Sequence, residues 1–137
     1  MRQVITSMLD RRLMEPSQIL YINKEFYRYS FVQTHDDLMD LYETYCREIN
    51  PDRKSYVFLD EVHNIHGWER VVDSLSQDPS IDCEVFLTGS NSKLLSGELS
   101  TLLSGRYVEF EVQPFSYTEY LKANQAAHPS RQSMLDY

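Results

Sequence analysis

Glycine, proline, cysteine and tryptophan are all scarce in this chain of 137 residues: four, five, two and one. Each shortage closes off a class of answer. Two isolated thiols, Cys46 and Cys83, cannot make a disulfide framework, and they fit a reducing cytoplasm. A zinc site built from them with His63 and His66 would need a cysteine spacing that matches none of the usual metal motifs. None of the glycines (Gly67, Gly89, Gly97 and Gly105) is followed by Lys-Ser or Lys-Thr, so no Gly-x-x-x-x-Gly-Lys-Ser/Thr loop is written here. Long apolar runs are missing too: nothing reaches the length of a membrane span, and no signal-peptide pattern follows Met1. Lys and Arg number 13 against 21 Asp and Glu, and the resulting charge of −8 argues against direct nucleic-acid binding through a positive face. What remains is an ordinary globular composition with room for one domain and one core.

The chain is organised around Tyr56-Val57-Phe58-Leu59-Asp60-Glu61. Four apolar residues, partly β-branched and aromatic, run unbroken into two carboxylates. Such a run suits a strand covered on both faces, as in a parallel sheet. Ligands of those sheets sit at the carboxyl ends of the strands, where Asp60 and Glu61 fall. A carboxylate there can hold Mg²⁺ through water, and a second beside it can orient an attacking water. Taken alone, the hexapeptide reads more readily as a buried strand running into an acidic turn. Its neighbours have to decide.

Before it, residues 2 to 14 have the spacing of an amphipathic helix (Ile5, Met8, Leu9, Leu13), broken by Pro16 and Ser17. A short apolar strand at 18–23 and a charged, aromatic loop at 24–31 follow. Thr34 and Asp37 form a capping-box pattern for a helix carrying Leu38, Leu41, Tyr42, Tyr45 and Ile49, which must stop at Asn50-Pro51. After the central strand at 55–60, Gly67 and Trp68 open a helix with Val71, Val72 and Leu75, closed by Asp78-Pro79. A strand at 82–88, short helical pieces around Leu94, Leu95, Leu99, Leu102 and Leu103, a last strand at 107–112 and a helix from Phe115 to Lys122 complete the core, about 1–122. A polar tail occupies 123–137. Strands alternating with helices predict an α/β fold with a mainly parallel sheet. Leu20, Ile22, Val57, Phe58, Leu59, Val85, Phe86, Leu87, Val108 and Phe110 are the expected buried strand residues.

Four blocks then resemble one family. Tyr56 to Ile65 looks like the Walker B segment of AAA-type ATPases of bacteria and archaea, those whose ATPase domain precedes a C-terminal domain of unknown function. Phe86-Leu87-Thr88-Gly89-Ser90-Asn91-Ser92 is similar to their sensor-1 strand and turn. Leu103 to Phe110 and Pro114 to Leu121 resemble two further signatures, in the family's order. The resemblance implies a P-loop NTPase core that uses ATP and Mg²⁺. It implies that Asp60 contacts the metal and Glu61 polarises the hydrolytic water. Ser90 or Asn91 would sense the γ-phosphate, and Arg106 would act as an arginine finger on a neighbour's nucleotide.

The departure is the missing phosphate loop. In the family it lies just upstream of a helix like residues 2 to 14, so the chain is expected to lack the core's first strand as well, as a truncated copy, a fragment or a mis-assigned start. The family's strand order is fifth, first, fourth, third, second. Without the first, the last strand should close against 82–88, or another chain should donate a strand, making self-association the expected partnership. Blander readings stand beside these roles: Ser90 and Asn91 as a hydrogen-bonding turn, Arg106 as a surface or salt-bridging group, Trp68 as a core aromatic, and His63 and His66 as polar loop residues. Two rivals come from other classes. Asp60-Glu61-Val62-His63 spells a DExH helicase box, but the chain has Thr88-Gly89-Ser90 where a Ser-Ala-Thr-like motif belongs, and no second motor domain. The other rival is a non-catalytic remnant or interaction module. The preferred expectation is a piece of an AAA ATPase, inactive by itself.

Overall fold

A computed structural model of the chain describes residues 1–50, 53–89 and 107–127. The chain divides into two compact units, Met1–Arg106 and Tyr107–Tyr137. In the first, helix α1 (Arg2–Asp10) is followed by a 3-10 turn at Pro16–Gln18 and strand β1 (Ile19–Asn23). Helix α2 (His35–Glu48), strand β2 (Ser55–Asp60), helix α3 (Trp68–Gln77) and strand β3 (Cys83–Leu87) come next. The second unit holds helix α4 (Tyr117–Ala127).

The elements begin and end where local chemistry requires. Thr34 and Asp37 form the expected box: Asp37 N–H donates to Thr34 Oγ1 at 3.3 Å, and Thr34 N–H donates to Asp37 Oδ2 at 2.8 Å. Two of the donors orphaned at a helix start are thereby satisfied. Gly67 caps α3 with φ of 72°, which favours glycine, and a Cβ there would lie 3.0 Å from His35 Nδ1, so that ring would have to shift to admit one. The starts of α2 and α3 are also laced together. Thr34 and His66 form a parallel bridge, with His66 N–H donating to Gln33 O and His35 N–H to His66 O.

The sheet runs β1-β2-β3, parallel throughout. That is the α/β architecture with a parallel sheet that the alternation predicts, and it agrees with a P-loop NTPase-like core. Register pairs Leu20 with Val57, Asn23 with Asp60, and Val57, Phe58 and Leu59 with Val85, Phe86 and Leu87. Because side chains alternate, Tyr21, Asn23, Phe58, Asp60 and Phe86 share one face, and Leu20, Ile22, Val57, Leu59, Val85 and Leu87 share the other. The last turn of α2 reaches the second face at the amino end of β2, where Cys46 Sγ lies 4.0 Å from Ser55 Oγ. Burial there pushes the Cys83 thiol up to about 11 and the Tyr45 hydroxyl up to about 12. Leu38, Tyr42 and Tyr45 of α2 and Trp68, Val71, Val72 and Leu75 of α3 are buried, as their spacing predicts. Phe58 is fully enclosed and stacks on Phe86 with ring centres 4.6 Å apart.

Several expectations need correction. Helix α1 stops at Asp10 rather than residue 14, because Arg12 turns left-handed (φ 55°); none of its residues is fully buried. Leu20, Val85, Phe86 and Leu87 are half-buried: among the described residues β1 and β3 are the outer strands and only β2 has a neighbour on each edge, although Ile22 of β1 is fully buried. The strand expected at 107–112 does not form: residues 107–116 have no regular structure, and Val108 and Phe110 are 78% and 82% exposed. Alternation of apolar and acidic residues is only permission to be a strand. Backbone groups become a strand by pairing, and among the described residues no strand pairs with this segment. The helical pieces expected around Leu94 to Leu103 lie outside the described residues.

Candidate functional site

At the carboxyl edge of the sheet, β1 and the residue just after β3 deliver side chains to one carboxylate at the end of β2. Asp60 is the last residue of β2, and its side chain shares a face with Tyr21 and Asn23 of β1. Tyr21 Oη donates to Asp60 Oδ2 at 2.9 Å, and Asn23 Nδ2 donates to the same oxygen at 3.2 Å. The Asn23 amide is oriented by its other end, since Glu25 N–H donates to Asn23 Oδ1 at 2.8 Å. From the other flank, Thr88 Oγ1 donates to Asp60 Oδ1. The backbone joins in: Lys24 N–H donates to Asp60 O at 3.1 Å, and Thr88 N–H to Leu59 O at 2.9 Å. Asp60 is half-buried, so these donors replace water it has partly lost.

Glu61 follows in the left-handed region, φ 59° and ψ 46°. For a residue with a side chain that conformation costs about 1–3 kcal/mol and survives only where the surroundings impose it. They do so through Thr88. Glu61 N–H donates to Thr88 Oγ1 at 3.4 Å, and Val62 N–H donates to Thr88 O at 3.1 Å. Val62 then sinks into the core, opening a 3-10 turn over Val62–Asn64. One hydroxyl thus touches the side chain of Asp60 and the backbone of Glu61. The Glu61 carboxylate stands 3.4 Å from His63 Nδ1, both side chains half-buried.

The expected residues are distributed unevenly. Asp60 and Glu61 stand together at the strand end, whereas Ser90, Asn91 and Arg106 lie outside the described residues. Trp68 is buried at the first turn of α3, the core position of its blander reading. Lys24, next to the site in sequence, is turned away by its own contacts. Its ammonium donates to the carbonyls of Tyr29 and Val32, and burial lowers its pKa against the raising influence of Asp37. Tyr21, Asn23 and Thr88 carry no site role in the sequence reading, although Thr88 falls within the block that resembles sensor-1. The signal was there for the first two, because the same two-residue alternation that buries Ile22 puts Tyr21 and Asn23 on the Asp60 side.

Among the described residues no group of three or more His, Cys, Asp or Glu side chains could hold a metal by itself. Mg²⁺ asks less of a protein: one or two carboxylates, with water and substrate phosphates filling the octahedron. An ionised carboxylate has about four lone-pair positions. Tyr21 and Asn23 occupy Oδ2 and Thr88 takes one on Oδ1, which leaves a hard-oxygen position on Oδ1. The residues present fit a Mg²⁺ contact.

The chain belongs to the AAA domain family, which it matches over residues 1–121. That makes it an AAA-type ATPase-family domain, a class that in general uses a nucleotide and Mg²⁺. An uncharacterised protein of Haemophilus influenzae is 39% identical over 113 residues, covering 82% of this chain and 27% of that protein. An uncharacterised protein of Methanocaldococcus jannaschii is 38% identical over 66 residues, covering 48% of this chain and 14% of its own length. The chain therefore spans less than a third of either relative. No solved structure matches it. Among the described residues, no helix is long and apolar enough to cross a membrane.

Proposed function

We propose that the carboxyl edge of this sheet is the Walker B half of an ATP-hydrolysing site, with Asp60 as the Mg²⁺ contact and Glu61 as the group that orients and polarises the attacking water. The observation that carries this reading is Asp60 itself: a strand-end carboxylate held by donors from β1 on one side and from Thr88, just past β3, on the other, with one oxygen position left over. When bound, Mg²⁺ supplies positive charge that offsets the charge of the phosphate oxygens. The protein's part is orientation. Thr88 holds the backbone at Glu61 and His63 Nδ1 stands 3.4 Å from its carboxylate, which accepts a proton from a water held against it. Ser90 or Asn91 serves as the γ-phosphate sensor and Arg106 as a finger toward a neighbour's nucleotide, which implies assembly with a second copy.

The chain alone should not turn over ATP, because no Gly-x-x-x-x-Gly-Lys-Ser/Thr is present to cradle the phosphates. Fused behind the phosphate loop and first strand of a family relative, it should. In that fusion Glu61→Gln is expected to lower kcat about 10²–10⁴-fold. Turnover that survives the replacement would remove Glu61 from the mechanism. Steady turnover by the 137-residue chain itself, abolished by Glu61→Gln, would overturn the claim of inactivity. The missing loop also favours a second reading, a non-catalytic module, which a fusion that binds ATP without hydrolysing it would support.

A further inference from the structure

We infer that Tyr21 is a positioning residue for the Asp60 carboxylate, with Thr88 its counterpart on the opposite oxygen. The inference rests on the reading of Asp60 as a Mg²⁺ contact. The last torsion of an aspartate is soft, a broad two-fold well rather than three sharp ones, so an unsupported carboxylate samples many planes. A metal ligand must hold one. Here the plane is pinned at both ends from different strands: Tyr21 Oη reaches Oδ2 at 2.9 Å from β1, and Thr88 Oγ1 reaches Oδ1 from beyond β3.

Tyr21 is itself held. Its carbonyl accepts from Tyr29 Oη at 2.8 Å, and its hydroxyl lies 3.4 Å from Asn23 Nδ2, which also bonds Oδ2. Tyr21 Oη, Asn23 Nδ2 and Asp60 Oδ2 close a triangle in which each member contacts the other two. Donor counting then gives the arrangement a direction. Two donors on Oδ2 and one on Oδ1 leave Oδ1 as the oxygen available to a cation. Groups that orient a metal ligand in this way are typically worth about 10–100-fold in metal affinity.

Mn²⁺ is a suitable probe because its binding is read directly by water-proton relaxation, with no catalysis required. Asp60→Asn should abolish saturable Mn²⁺ binding by the chain. Tyr21→Phe, which keeps the ring and removes only the hydroxyl, should weaken it about 10–100-fold. Thr88→Val should do likewise, and Thr88→Ser, which restores a hydroxyl, should recover it. A merely structural role would affect melting but not separate the serine from the valine in affinity at matched circular dichroism. If Tyr21→Phe does not fold, the Thr88→Val and Thr88→Ser pair still decides whether the carboxylate is oriented. Loss of binding in Asp60→Asn with unchanged affinity in folded Tyr21→Phe and Thr88→Val would overturn the positioning role alone. Binding that survives Asp60→Asn, or a parent chain with no saturable Mn²⁺ binding, would overturn the Asp60 reading and this inference with it.

Discussion

Val57-Phe58-Leu59 and Val85-Phe86-Leu87 are the same three residues in the same order, paired side by side in register. In β2 they are 2%, 0% and 1% exposed; in β3 all three are half-buried. Composition and local conformation are held constant between the two triplets. What differs is place: β2 has a neighbour on each edge, and β3 has one among the described residues. Between these two triplets burial follows position in the sheet, and an apolar run reports only that a strand could be covered.

The strongest test of that contrast is truncation. Phe58→Ala should destabilise the chain by about 3–5 kcal/mol, while Phe86→Ala at the flank should lose roughly half as much. Urea unfolding measures both, and equal losses would mean that β3 is covered in solution by something outside the described residues. Hydrogen exchange sharpens the same question. Thr88 N–H and C=O both face β2, so by alternation Phe86 N–H does too, while the N–H groups of Val85 and Leu87 point away. Phe86 should exchange orders of magnitude more slowly than Val85 and Leu87. Slow exchange at Val85 and Leu87 that appears only at high protein concentration would reveal strand donation by a second copy.

A smaller effect isolates the helix that reaches β2. Thr34→Ala removes the cap of α2 and should lose about 0.5–2 kcal/mol, read by the same urea unfolding. The smallest expected effect is acid dependence. The Asp37 pKa is lowered by the Thr34 hydroxyl first, and then by the N–H groups of Thr34 and Gln33. Its folded value lies below its unfolded one, so its contribution is complete above the ordinary carboxylate range and disappears as pH falls through the folded value. Denaturation midpoints measured down this range should decline more in the parent than in Asp37→Asn, and parallel curves would dismiss the coupling.

How much of this was legible beforehand follows from range in sequence. The Thr34–Asp37 box, the Gly67 start of α3 and the three strands at 19–23, 55–60 and 83–87 rest on neighbours a few residues apart, and they stand where the pattern puts them. Asp60 at a strand end follows from the same short-range signal. The clamp on it does not, because Tyr21 and Thr88 lie 39 and 28 residues from Asp60 and meet it only through sheet register. Residues 107–112 failed for the same reason in reverse: Val108, Phe110 and Val112 alternate with Glu109 and Glu111, but alternation names no partner. The left-handed turn at Glu61 had no signal at all, since glycine or asparagine would ordinarily announce it.

That turn sets stability and function at odds on a single residue. At position 61 the backbone favours glycine, which adopts positive φ without strain, so Glu61→Gly should tolerate heat as well as the parent or better. A selection for folding alone would accept that exchange. Keeping a glutamate in a glycine's conformation makes sense only under a demand that folding does not impose, and a saturation library at this one codon, sorted once for stability and once for activity of the phosphate-loop fusion, should yield two different winners.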